Sequence, residues 1–122
     1  MVAKFGSLLK RLRAETGKTL REFCQEKGFD PGNFSRLERG HFPPPQNREL
    51  LEKYAYALGL QAGSDEWLEF FDVAAAERGE FPADLKLDAE IVDKLPVLFR
   101  TMRAKQLSGE KLDELIEKIR RS

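Results

Sequence analysis

Apolar residues recur at helical spacing along most of the chain, and no stretch alternates in polarity as a strand does. The first apolar set falls at positions i, i+3, i+4 and i+7, which places it on one face of a helix that ends near Thr16. Similar sets follow, separated by glycines, and we predict an all-α protein with seven to eight helices. The first set comprises Phe5, Leu8, Leu9 and Leu12.

Helix starts are marked by side chains that cap unpaired backbone N–H groups. Thr19 and Glu22 have the spacing of a capping box, and Asp30 precedes Pro31, which is tolerated at a first helical position. Three further caps predict helices over 47–58, 65–78 and the last part of the chain. These caps are Asn47, Ser64 and Ser108.

The C-terminal third leaves two questions open. Residues 89–95 are expected to be helical, and Pro96 either opens a new helix over 97–104 or kinks a continuous one. A last apolar stripe requires burial, either within the domain or against a second copy of the chain. It comprises Leu112, Leu115, Ile116 and Ile119.

Composition excludes several classes of protein. One cysteine and one histidine exclude an intramolecular disulfide, a cysteine metal cage and a His-rich zinc site, and we expect no cofactor. No apolar run approaches the roughly 18 residues of a membrane span, and the N-terminus has no secretory h-region, so we expect a cytoplasmic protein. No paired carboxylates, Cys–His pair or Gly-rich phosphate loop stands out, so an enzyme is not expected.

The formal net charge of zero hides an uneven distribution. Residues 1–60 carry 11 Lys and Arg against 7 Asp and Glu, whereas residues 61–122 carry 10 against 14. A basic half joined to an acidic half is typical of a binding surface for an anionic partner attached to an acidic remainder. Zero net charge therefore does not exclude a nucleic-acid partner.

The most informative stretch is residues 19–40, TLREFCQEKGFDPGNFSRLERG. It contains two short predicted helices joined by Gly28, Phe29 and Asp30. The glycine supplies the left-handed backbone conformation that lets the second helix leave the first at a steep angle. This spacing is typical of a helix-turn-helix, whose second helix enters the DNA major groove.

The wider pattern resembles the lambda-repressor-like family of helix-turn-helix regulators, also called the xenobiotic-response-element type, over about residues 5–60. Its most diagnostic part is Leu37-Glu38-Arg39-Gly40, followed by proline and by Ala57-Leu58-Gly59. The other matching features are Phe5-Gly6, the Leu8/Leu9/Leu12 face, Arg13, Gly17, Thr19, Phe23-Cys24, Gly28, Ser35-Arg36 and Ala55. The resemblance implies a five-helix DNA-binding domain with residues 30–39 as the recognition helix, followed by a helical C-terminal extension.

The resemblance also assigns roles to single residues. It implies an internal ion pair between Arg13 and Glu38, and it places base-reading positions on Pro31, Gly32 and Arg36. Because Pro31 and Gly32 carry no side-chain donor or acceptor, the best base-edge candidates are Arg36 for guanine and Asn33 for adenine. Gly32 would let the backbone approach DNA closely.

Phosphate contacts are expected on both sides of the recognition helix. Leu20 stands where the family usually has a glutamine, so Thr19 or Arg21 must replace that contact. The loop after the recognition helix offers Arg39, His41 and Gln46.

The function that these features predict is sequence-specific binding of double-stranded DNA by a transcriptional regulator, expected to be a repressor. We place the DNA-binding domain at residues 1–63 and a helical extension at 64–122, which is expected to pack on the first part and to help form a homodimer. Two alternatives remain open: an antitoxin whose C-terminal part binds a toxin, and a protein-interaction adaptor that has lost DNA binding.

Overall fold

The structure, a computed structural model, describes residues 4–82, 85, 87–104, 109–110, 113–114 and 117. The described residues form six helices and no strand, so the all-α prediction is confirmed. The helices are α1 (Lys4–Glu15), α2 (Leu20–Lys27), α3 (Pro31–Glu38), α4 (Arg48–Ala57), α5 (Asp65–Arg78) and α6 (Ala89–Arg103).

The predicted caps set the starts of the helices. The side chains of Asp30, Asn47 and Ser64 each accept a hydrogen bond from the backbone N–H three residues later, at 2.9, 3.1 and 3.2 Å. Each bond satisfies one of the four N–H groups that a helix start leaves unpaired. Asp88 does the same for α6, where it accepts from the N–H of Ile91 at 2.9 Å.

The chain forms two compact units, residues 1–84 and residues 85–122. The boundary expected after residue 63 falls between α4 and α5, inside the first unit. Helix α5 contributes to the core of that unit. The buried members of the core are Phe5, Leu8, Leu9, Leu12, Phe23, Cys24, Phe34, Leu37, Leu51, Tyr54, Ala55, Leu58, Leu60, Trp67, Phe70, Phe71 and Ala74.

Helix α5 is attached to the start of α1. The Phe5 backbone N–H donates to Glu77 Oε1 at 3.1 Å. A carboxylate of α5 therefore accepts a hydrogen bond from the first turn of α1, where the helix dipole favours negative charge. The rings of Phe5 and Phe70 have centroids 5.2 Å apart. Helix α5 thus contacts the N-terminal turn of α1 in two ways, by this hydrogen bond and by this ring contact.

In the second unit, α6 runs continuously through Pro96. Of the two possibilities for Pro96, the structure shows the single helix, with the proline in its interior. The other expectations for this unit lie outside the described residues: the cap Ser108 and the stripe Leu112, Leu115, Ile116 and Ile119. None of the described helices has the length and apolar character needed to cross a bilayer.

At Gly6 the backbone of α1 comes close to the backbone of α3. A Cβ atom at this buried glycine of α1 would lie 2.5 Å from the Leu37 carbonyl oxygen and 2.6 Å from that of Glu38. Real Cβ atoms do not come so near to backbone oxygens, so only glycine lets α1 meet the C-terminal end of α3 at this distance.

We expect Gly6→Ala to lower the free energy of unfolding by about 1–3 kcal/mol, because the added methyl group meets rigid backbone and forces α1 and α3 apart. Urea denaturation followed by circular dichroism measures this. Ser7→Ala, at the exposed neighbouring position, is the control and should change stability by no more than about 0.5 kcal/mol. Equal stability of Gly6→Ala and the wild type would contradict the close approach.

Candidate nucleic-acid interface

The turn between α2 and α3 is held by one glycine and one aromatic side chain. Gly28 ends α2 with φ +77°, and the Phe29 N–H donates to the Cys24 carbonyl oxygen at 2.9 Å. The Phe29 ring stacks on Phe34 with centroids 5.9 Å apart and meets Tyr54 edge-on at 4.9 Å. The turn is therefore anchored in the core, and α3 begins from a defined position.

Helix α3 divides into a buried and an exposed face. Phe34 and Leu37 are buried, whereas Gly32, Asn33 and Arg36 are exposed. Asn33 and Arg36 lie three residues apart, so they are neighbours on the surface of the helix. The exposed face thus carries one amide and one guanidinium side by side.

The Arg36 side chain folds back along its own helix. Its Nη1 donates to Asn33 Oδ1 at 3.4 Å, and a Cβ atom at Gly32 would lie 3.5 Å from the same nitrogen. The guanidinium carbon lies 5.8 Å from the centroid of the Phe42 ring, within the range of a cation–π contact. Arg36 therefore has neighbours on its own helix and in the following loop.

A paired guanidinium fixes α3 to α1. Arg13 Nε donates to Glu38 Oε2 at 2.6 Å, Nη2 donates to Oε1 at 3.1 Å, and Nη1 donates to the Lys18 carbonyl oxygen at 3.1 Å. The two side chains are only 12% and 6% exposed. The hydrogen bonds from Arg13 to Glu38 raise the pKa of Arg13 above its usual value, so the guanidinium stays charged.

Two acidic side chains of the motif serve as helix caps. Glu22 accepts from the Thr19 N–H at 3.0 Å, while the Thr19 hydroxyl accepts from the Glu22 N–H at 3.2 Å. These bonds lower the pKa of the Glu22 carboxyl, with the bond from the Thr19 backbone as the main cause. Asp30 accepts from the Asn33 N–H at 2.9 Å. Both carboxylates are thereby engaged at helix N-termini.

The remaining two acidic side chains of the motif are in ion pairs. Glu26 pairs with Lys18 and with Lys27, and the hydrogen bond from Lys18 is the main cause of a lowered pKa of its carboxyl. Glu38 pairs with Arg13. All four carboxylates of residues 19–40 thus have a partner within the protein.

Several basic side chains of the same motif remain accessible. Arg21, Arg36 and Arg39 are exposed, and across the residues described none of the three has a carboxylate within ion-pair distance. The Arg39 side chain donates from Nε to the Ser35 carbonyl oxygen at 3.5 Å. The helix-turn-helix surface therefore has available cations although its formal charge is balanced.

The structure places the other predicted phosphate contacts in different surroundings. Thr19 is exposed at the start of α2. His41 is exposed in the turn after α3, and its backbone N–H donates to the Arg36 carbonyl oxygen at 2.8 Å. Gln46 lies further along the chain and lines a cavity of about 110 Å³ together with residues of α4 and α5.

Two contributors to this region are not predicted from the sequence. Phe42 lies against Arg36, and the backbone carbonyl of Lys18 accepts a hydrogen bond from Arg13. The position of Phe42 between Gly40 and Pro43 could have indicated this contribution, because a large apolar residue stands there in a segment that cannot be helical. Nothing in the sequence indicates which carbonyl Arg13 reaches.

Two short helices joined through a left-handed glycine, the second with a polar exposed face, define the class of helix-turn-helix DNA-binding proteins. A family described as a helix-turn-helix domain matches residues 4–67, just over half of the 122 residues, and the chain belongs to that family. The match confirms the resemblance found in the sequence. No curated protein and no solved structure matches the chain.

We expect Glu38→Ala to lower the free energy of unfolding by about 3 kcal/mol, because it leaves the largely buried Arg13 guanidinium without its carboxylate. Glu26→Ala is the matched control. It also removes a paired carboxylate, but the Glu26 side chain is 49% exposed. The free energy of unfolding should therefore fall by less than about 1 kcal/mol. Denaturant unfolding of both variants gives the comparison, and equal losses would show that the Arg13–Glu38 pair does not anchor α3.

Proposed function

We propose that this chain is a transcriptional regulator that binds double-stranded DNA sequence-specifically, with α3 in the major groove. The observation that carries the proposal is the state of the charges on the motif: all four carboxylates of residues 19–40 are engaged in caps or ion pairs, whereas Arg21, Arg36 and Arg39 are exposed. Phosphates would thus meet accessible cations and no unpaired carboxylate of this motif.

The exposed face of α3 supplies chemistry for reading bases. An arginine donates two hydrogen bonds to guanine O6 and N7, and an asparagine pairs with adenine N6 and N7. Arg36 and Asn33 are the two residues on this face able to do so. Gly32, one turn before Arg36, presents no side chain, so the helix can approach the groove closely.

Other exposed residues are suited to phosphates, which fix the position of the protein on the duplex but carry no sequence information. We assign this role to Thr19 and Arg21 at the start of α2 and to Arg39 and His41 at the end of α3. Gln46, which lines a cavity next to α4 and α5, is the weakest member of the predicted set.

We further propose that the protein acts as a homodimer through α6. Along this helix Ile91, Leu95, Leu98 and Met102 recur at i, i+4, i+7 and i+11, and Ile91 and Met102 are 44% and 56% exposed. A continuous apolar stripe on a helix is stabilised when another apolar surface covers it. A dimer would also contain two copies of α3, as an operator with two half-sites requires.

Arg36→Ala should weaken binding to a preferred duplex by about 1–3 kcal/mol and relax the preference for guanine at one position. The duplex comes from selection in a random library with the wild-type protein, and binding is measured by fluorescence anisotropy at several salt concentrations. Binding of unrelated duplexes, which depends on phosphate contacts, should change much less.

Arg11→Ala is the charge-matched control. Arg11 lies on α1 and is paired with Glu15 and Glu69, so its removal should leave base preference unchanged. An Arg36→Ala variant with wild-type affinity and wild-type preference would exclude α3 as the reading helix. No binding of the wild type to any duplex at low salt would instead favour the protein-interaction adaptor.

Ile91→Glu should convert a dimer into a monomer in sedimentation-velocity experiments, because it places a charge in the apolar stripe of α6. Val97→Glu is the control on the same helix: Val97 is 65% exposed and lies on the opposite side from the stripe by helical spacing. A monomeric wild type, or equal effects of the two substitutions, would contradict dimerisation through this stripe.

A further inference from the structure

The loop after the recognition helix holds an aromatic side chain in an unusual place. Phe42 is 40% exposed and lies between His41 and a run of three prolines. Its ring faces the guanidinium of Arg36, whose carbon is 5.8 Å from the ring centroid. The ring thus contacts the strongest candidate for reading a base.

Two contacts favour one orientation of the Arg36 side chain. Asn33 Oδ1 accepts a hydrogen bond from its Nη1 at 3.4 Å, and the Phe42 ring lies against its guanidinium. An exposed arginine normally samples many rotamers and loses that freedom when it binds. Restricting the side chain beforehand reduces this loss and raises the affinity for a partner that fits the restricted geometry.

The backbone that carries Phe42 is itself fixed at both ends. Gly40, with φ +75°, turns the chain out of α3, and the His41 N–H closes the turn on the Arg36 carbonyl oxygen at 2.8 Å. Three prolines then stiffen the segment, and Pro44 is fully buried. Phe42 therefore lies between a closed turn and a buried proline.

An arginine of α5 completes the attachment. Arg78 Nη1 donates to the Pro44 carbonyl oxygen at 2.9 Å, and the Arg78 side chain is only 22% exposed and paired with Glu80. Proline segments have no internal backbone hydrogen bonds, so the Pro44 carbonyl is free to accept from a side chain such as Arg78. Arg78 lies eleven residues beyond the end of the region that matches the helix-turn-helix family.

From these contacts we infer that Phe42 and Arg78 are positioning residues for base recognition: Arg78 holds the proline loop, the loop presents the Phe42 ring, and the ring orients the Arg36 guanidinium toward guanine. The inference rests on the proposed function, because it assumes that Arg36 reads DNA. Helix α5 would then contribute to base recognition through Arg78.

The first test does not involve DNA. The side-chain Nε–H and Cδ–H resonances of Arg36, assigned in the free protein, should show a ring-current shift that Phe42→Leu abolishes and Phe42→Tyr retains. Phe99→Leu is the control, because Phe99 is also an exposed phenylalanine, at 39%, and lies on α6 in the second unit. Unchanged Arg36 resonances in Phe42→Leu would overturn the inference by themselves.

The second test uses the selected duplex and a copy with the preferred guanine replaced by adenine. Phe42→Leu should reduce the discrimination between them about two- to fivefold, the size of an exposed cation–π contact, while Phe42→Tyr keeps it. In an Arg36→Ala background the same substitution should have no effect on discrimination. Discrimination that falls equally with and without Arg36 would show that Phe42 contacts DNA directly, against the inference.

Arg78→Met tests the anchor, since it retains the apolar stem and removes the donor to Pro44. It should shift the Arg36 resonances and reduce discrimination in the same direction as Phe42→Leu, in protein shown by denaturant unfolding to be folded at the assay temperature. Discrimination equal to that of the wild type would remove Arg78 from the inference. A wild-type protein that binds no duplex would overturn the proposed function, whereas the Arg36 resonances report on the Phe42 contact in either case.

Discussion

The position of α3 depends on one joint between α1 and the C-terminal end of α3. At this joint Gly6 brings two backbones into direct contact, and Arg13 forms three hydrogen bonds, two to Glu38 and one to the Lys18 carbonyl. One guanidinium therefore connects α1, the turn before α2 and α3. Because both charges are largely buried, neither can leave the other without a large desolvation cost, so the joint favours a single arrangement.

This joint also explains how an electrically balanced motif can offer a cationic surface. A carboxylate that is paired with a cation, or that lies at the positive end of a helix dipole, has part of its charge offset within the protein. Glu38 belongs to the joint, while Glu22 and Asp30 cap the two helices of the motif. The acids thus serve the fold, and the exposed arginines are left to determine which ligands approach.

The helices can be predicted from the sequence because the interactions that define them join residues close together in the chain. Capping and apolar periodicity act within a few residues, and Thr19, Asp30, Asn47 and Ser64 cap where their spacing predicted. The contacts that the sequence does not predict join residues far apart in the chain, or join a side chain to a backbone carbonyl. Arg78 and Pro44 are 34 residues apart, and Phe5 and Glu77 are 72 apart. Neither contact leaves a periodic or spaced pattern that a single sequence could reveal.

Helix α5 shows why these distant contacts matter for the division of the chain. Two consecutive residues of its last turn face different parts of the first unit: Glu77 binds the start of α1, and Arg78 binds the loop after α3. Its aromatic residues lie in the same core as Phe5 and Phe34. A helix-turn-helix unit cut after residue 63 would lose both attachments and would expose that core to water, at a cost proportional to the apolar area uncovered. The physical unit that presents α3 therefore includes α5, although the recognisable family pattern ends within its first turn.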